Sequence, residues 1–130
     1  SVSSHDISLP LSTISKFIDE ARVEISKLGN FRINCFGHLG DGNLHFNIFP
    51  NKGEKREEYN HLRPEIKTII HDLVHLHGGS VSAEHGIGRL KINDLVKYSD
   101  PIKLKLNRSI KAVMDPKGIL NPGVIFASNQ

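Results

Sequence analysis

Two alternating apolar segments on either side of Gly40-Asp41-Gly42 constrain this chain more than any other feature. Phe31, Ile33 and Cys35 alternate with Arg32, Asn34 and Phe36, and beyond the glycines Leu44, Phe46 and Ile48 take up the alternation again. A period of two is that of a half-buried strand, so the segment predicts an antiparallel hairpin with one apolar and one polar face. Asp41-Gly42 is read as its two-residue type I′ turn, which needs positive φ at both central positions. That turn sets His38 directly opposite His45. Opposed residues have Cβ atoms about 4.5 to 5.5 Å apart, a spacing from which two imidazoles can converge on one ion. Parity puts Asn34, Phe36 and Asn47 on the histidine face and turns Ile33, Cys35, Leu44 and Phe46 towards the interior.

Other elements follow from helical periodicity. Pro10 suits a first helical turn, and Leu11, Ile14, Ile18, Ala21, Ile25 and Leu28 form a stripe that stops at Gly29. A second helix runs to His77 and ends at Gly78-Gly79, with Leu62, Ile66, Ile69, Leu73 and Leu76 as its apolar face and Pro64 marking where its regular part begins. His5 to Leu9 reads as a first strand and Ser80-Val81-Ser82 as a last one, and shorter helices are expected over about Leu90 to Tyr98 and Pro101 to Met114. The order strand, helix, strand, strand, helix, strand is the split βαβ pattern. It predicts an α+β, ferredoxin-like antiparallel sheet with helices on one face, followed by C-terminal helices and a turn-rich tail.

Composition narrows the chemistry. The chain has 130 residues and one cysteine, Cys35, so an internal disulfide and a cysteine-rich zinc finger are excluded, and a metal site must use histidines and carboxylates. No stretch approaches the roughly 20 apolar residues of a membrane span. The net charge is only +3, and the late cations from Arg89 to Lys117 lack interleaved aromatics, so nucleic acid is not an expected partner.

Two histidines call for a carboxylate, and Glu84, just after the last expected strand, is the best placed. A His38, His45, Glu84 set leaves coordination positions open for water or substrate, which suits catalysis more than a structural role. His85 is a candidate proton acceptor beside it. His71, His75 and His77 form a competing ligand set, read by default as helix-end or surface residues.

Three segments taken together resemble a known family: residues 36–45 (FGHLGDGNLH), residues 79–88 (GSVSAEHGIG) and residues 115–123 (DPKGILNPG). They are similar to the FAD-linked oxidase C-terminal domain, in the branch of flavin-dependent D-2-hydroxyacid dehydrogenases that act on substrates such as D-2-hydroxyglutarate and D-lactate. The resemblance implies a divalent metal, zinc first, on His38, His45 and Glu84, with Asn47 near the substrate, His85 as catalytic base and Asn121 contacting the flavin. It also implies the reaction: a Lewis acid acidifies the substrate hydroxyl, His85 takes its proton, and the α-hydrogen leaves as hydride to FAD, giving a 2-oxoacid. Ser4 stands where such proteins often carry a basic residue for the substrate carboxylate.

The resemblance further implies that residues 1–130 are a partial C-terminal domain. No flavin-binding segment is found in the chain, so an N-terminal FAD-binding domain is the expected partner and the chain alone is expected to be inactive. Homo-oligomerisation is a further option. The expected location is cytoplasmic, or mitochondrial in a eukaryote, with peripheral attachment to a membrane through the electron acceptor left open. The rival readings are a stand-alone metal-dependent hydrolase and a non-catalytic metal- or metabolite-binding module.

Overall fold

A computed structural model describes residues 1–127, which divide into one compact unit, Ser1–Glu84, and a second that begins at His85. The first holds β1 (Ser3–Ser8), α1 (Ile14–Ser26), β2 (Arg32–Phe36), β3 (Asn43–Phe49) and α2 (Arg63–Leu76). The second holds α3 (Ile92–Tyr98) and α4 (Pro101–Met114). The class is α+β: the strands form an antiparallel sheet in the order β1-β3-β2, and α1 and α2 belong to the same unit.

Alternation decides which sheet face is buried. Ile7, Leu44, Phe46 and Ile48 are buried on one side, where Phe17 of α1 meets Phe46 edge to face with ring centroids 5.5 Å apart. Ile66, Ile70 and Val74 of α2 are fully buried, and each such side chain contributes about 1.5 to 3 kcal/mol by leaving water. His71, on the same face of α2, approaches His5 of β1 at 3.4 Å between ring nitrogens, so the polar pair is satisfied inside the apolar layer.

Three expectations are corrected. First, Ser80-Val81-Ser82 is not a strand: Ser80 makes one antiparallel bridge to Ser8, with N–H donated each way at 3.0 and 2.8 Å. Among the described residues the sheet therefore has three strands where the split βαβ pattern calls for four. Gly79 shapes the approach to that bridge, because a Cβ there would lie 2.3 Å from the Ser8 carbonyl oxygen.

Second, the connection between β2 and β3 is not a two-residue turn. Positive φ is found at Gly42 but not at Asp41, and Leu39–Asp41 form a 3₁₀ turn in which the His38 carbonyl accepts from the N–H groups of both Asp41 and Asn43. The register pairs His45 with Phe36 rather than with His38. A tertiary bond helps to explain the choice: Leu9 N–H donates to the Gly42 carbonyl at 2.9 Å, tying the turn to the end of β1.

Third, α2 is rotated from its expected stripe, keeping only Ile66 of it buried, whereas α1 buries Ile14, Ala21 and Ile25 as expected and adds Phe17. Leu11 and Leu76 are exposed, while Phe17 and Val74, outside the expected stripes, are fully buried. The stop signal of α2 holds: Gly79 N–H bonds the Val74 carbonyl and Gly78 N–H the His75 carbonyl, a Schellman cap with Gly78 at φ 70°.

In the second unit, Asp100 caps α4 by accepting from the N–H groups of Ile102 and Lys103. Asp115 ends it, accepting from Lys111 Nζ at 2.6 Å and from the backbone N–H groups of Ile119 and Leu120. Among the described residues no helix is long and apolar enough to cross a membrane.

Candidate metal centre

The sheet face turned away from α1 and α2 carries two polar rows fixed by the strand register. One row reads Asp6, His45, Phe36 across β1, β3 and β2, and the next reads Ser4, Asn47, Asn34. The even spacing keeps all six on one side, as the alternation requires. Because the register slip from His38 to Phe36 is two residues, and not one, the predicted polar face survives it.

Glu84 reaches this face because Ser80 is pinned to β1. Its Oε1 lies 2.9 Å from His45 Nε2, and its Oε2 lies 3.9 Å from His38 Nδ1. The carboxylate thus spans both imidazoles. His45 is mostly covered, whereas the His38 side chain is 70% exposed, on the turn that follows β2. Behind His45, Asp6 Oδ1 is 3.8 Å from Nδ1, and Asp6 Oδ2 accepts from the Ala83 N–H at 3.2 Å. Phe36 lies along the imidazole with ring centroids 5.0 Å apart.

This donor set fits a divalent ion. Two ligand atoms on a tetrahedral ion at about 2.0 to 2.1 Å stand roughly 3.3 Å apart, close to the separation of Glu84 Oε1 and His45 Nε2. Asp6, His45 and Glu84 each offer a ligand atom within 4.8 Å of the others. His38 is not in that group: its Nδ1 stands 3.9 Å from Glu84 Oε2 and its side chain is exposed. Two nitrogens and one or two carboxylate oxygens suit zinc and other first-row divalent ions.

Of the other expected residues, Asn47 sits one row from His45, partly buried. His85 follows Glu84 in the chain, is exposed, and opens the second unit. Asn121 belongs to the tail of that unit, with φ 45°, and lines a cavity of about 370 Å³ together with Arg108, Lys111 and Phe126. His71 and His77 do not act as a set: His71 is buried against His5, while His77 Nε2 bonds Glu20 Oε2 at 2.6 Å and links α2 to α1. Cys35 faces inward, and burial raises its thiol above the ordinary value against an opposing effect of Arg22. Asp6 is the carboxylate that the sequence reading did not place at the site. Its alternation with Ile7 in β1 was the available signal, but the pairing of β1 with β3 is a long-range fact that alternation does not supply.

Comparison with known proteins agrees with the segments singled out above. A family profile described as FAD linked oxidases, C-terminal domain, matches residues 1–125. The chain is 36% identical over 126 residues to a D-2-hydroxyglutarate dehydrogenase of Stutzerimonas stutzeri, covering 95% of this chain and 27% of that protein. It is 40% identical over 119 residues to a mitochondrial D-2-hydroxyglutarate dehydrogenase of Arabidopsis thaliana, covering 91% of this chain and 20% of that protein. With the mitochondrial D-2-hydroxyglutarate dehydrogenase of Bos taurus the identity is 37% over 119 residues, 91% of this chain and 21% of that protein. The chain therefore spans about a quarter or less of the length of these curated relatives.

Proposed function

The chain belongs to the family of FAD-linked oxidase C-terminal domains, and from that premise we propose that it is the substrate- and metal-binding part of a flavin-dependent D-2-hydroxyacid dehydrogenase. D-2-hydroxyglutarate is the first substrate to test, since three relatives carry that name. The observation that carries the reading is the reach of one carboxylate, Glu84, to His45 at 2.9 Å and to His38 at 3.9 Å on a polar sheet face.

In this reading His38, His45 and Glu84 hold a divalent ion, zinc first. When bound, that ion supplies Lewis acidity to a substrate hydroxyl, and FAD supplies the acceptor for the hydride that leaves the adjoining carbon. The residues of this chain do the rest. His85, beside Glu84 in sequence, accepts the hydroxyl proton, so the C–O single bond becomes a carbonyl as the C–H electron pair departs. Asn47, one row along, donates an amide N–H to the substrate carboxylate. Asn121 faces the flavin from the tail. A flavin-binding domain N-terminal to this region is the required partner, and the place of action is the cytoplasm or the mitochondrion. The chain by itself is inactive in this reading.

Zinc content of the purified chain tests the ligand set. Wild-type protein binds about one equivalent, and His45→Ala and Glu84→Ala lose at least about a hundredfold in affinity, with His38→Ala also weakened. Calorimetric titration of the zinc-loaded chain with D-2-hydroxyglutarate shows binding that Asn47→Ala diminishes. Equal zinc in wild type and all three ligand variants overturns the reading.

A further inference from the structure

We infer that Asp6 is a positioning residue for His45, holding the imidazole so that Nε2 is the nitrogen offered to the ion. The inference rests on the metal reading above and adds a residue outside the proposed ligand set. Four observations carry it. Asp6 and His45 are direct cross-strand partners, so their separation is fixed by the ladder and not by loop conformation. Asp6 Oδ1 approaches Nδ1 at 3.8 Å, whereas Glu84 Oε1 approaches Nε2 at 2.9 Å. Asp6 is only 6% exposed. Its other oxygen accepts from the N–H of Ala83, the residue before Glu84.

Asp6 lies near Nδ1 and Glu84 near Nε2, so the two carboxylates address different nitrogens of the same ring. Asp6 also lies within ligand reach of His45 and Glu84, so the cobalt(II) spectrum is the measurement that separates positioning from direct ligation. A carboxylate behind a ligating histidine favours a proton on the near nitrogen, which frees the other for metal and makes it a stronger donor. Here the same carboxylate also grips the segment that carries Glu84, so one buried group orients two of the three proposed ligands. A buried carboxylate is costly unless it is paired: Asp6 Oδ2 has the Ala83 N–H, and Oδ1 stands at ion-pair distance, not hydrogen-bond distance, from His45 Nδ1.

Zinc affinity of the chain, measured by competition with a chromophoric chelator, tests the inference with Asp6→Asn, which keeps shape and loses charge. Affinity is expected to fall about ten- to a hundredfold, with circular dichroism unchanged. Cobalt(II) at saturation should give the wild-type absorption bands in Asp6→Asn, because no ligand is lost, and Asp6→Glu, which keeps the charge, should recover affinity relative to Asp6→Asn. In zinc-loaded wild type, ¹⁵N shifts should identify Nε2 as the ligating nitrogen of His45. Wild-type affinity in Asp6→Asn, a cobalt spectrum of altered coordination number, or ligation through Nδ1 would each overturn the proposal. Failure of the underlying metal reading looks different: wild type and His45→Ala then bind zinc equally.

Discussion

Phe36 and His45 face each other across β2 and β3 with ring centroids 5.0 Å apart and planes 38° from parallel, so the imidazole proposed to bind metal has an aromatic wall on one side and Asp6 on the other. Such a wall limits the rotamers open to His45 without using any polar group. Phe36 itself is 53% exposed, so its ring contributes little to the core.

Phe36→Ala is therefore expected to weaken zinc binding while leaving the fold nearly intact. An aromatic pair of this kind contributes about 0.5 to 1.5 kcal/mol, which corresponds to roughly two- to tenfold in affinity. Chelator competition on Phe36→Ala and Phe36→Leu reads the effect, and Leu should fall between wild type and Ala. Unchanged zinc affinity in Phe36→Ala would show that the wall has no part in orienting His45.

Gly42→Ala is expected to damage both stability and site. Gly42 has φ 69°, and a Cβ there would lie 2.2 Å from the Leu9 carbonyl oxygen, a backbone atom that cannot swing aside. The left-handed conformation alone costs a residue with a Cβ about 1 to 2 kcal/mol, and the overlap adds to this. Since the same turn carries His38, urea denaturation should show the lost stability and zinc titration a parallel loss of affinity. A variant as stable as wild type would mean that the turn can move off Leu9 without consequence.

How much of this site was legible depends on the range of the interaction that fixes each part. Parity along β2 and β3 is local, so the polar face with Asn34, Phe36 and Asn47 was readable from residue types alone. The register was not, because the bond from Leu9 N–H to the Gly42 carbonyl and the absence of positive φ at Asp41 select a longer connection than the Asp-Gly pair suggests. Glu84 was legible as a carboxylate following an expected strand, although that strand is a single bridge. Asp6 was not, because only the pairing of β1 with β3 brings it behind His45.

Helix phase offers a sharper test of what periodicity misses. An apolar stripe that includes Leu73 and Leu76 competes with one through Ile66, Ile70 and Val74, and sheet contacts choose the second, leaving Leu76 74% exposed. Leu76→Ala should change stability by no more than about 0.5 kcal/mol. Phe17→Ala, which empties a fully buried position against Phe46, should cost about 3 to 5 kcal/mol, a large part of the stability of a small domain. Urea midpoints separate the two, and a comparable loss in Leu76→Ala would put the other stripe in the core.

Acid should loosen the tail that carries Asn121, and Asp115 sets the direction of the effect. The hydrogen bond from Lys111 holds its carboxyl below the ordinary value, opposed by burial and assisted by the N–H groups of Leu120 and Ile119. A carboxyl with a depressed folded-state pKa binds its proton more weakly when folded than when unfolded. Its stabilising contribution is therefore complete above the unfolded value near 3.8 and is lost as pH falls through the lower folded value. Asp115→Asn removes that contribution at every pH. Wild type should melt above Asp115→Asn at neutral pH, and the gap should close on acidification below the ordinary carboxylate range. Because Lys111 Nζ also donates to the Leu120 carbonyl at 2.7 Å, Lys111→Met should reproduce the neutral-pH loss and abolish most of the acid dependence. A gap between wild type and Asp115→Asn that stays constant down to the lowest pH at which the chain folds would remove the Asp115 carboxylate as the group that holds the tail.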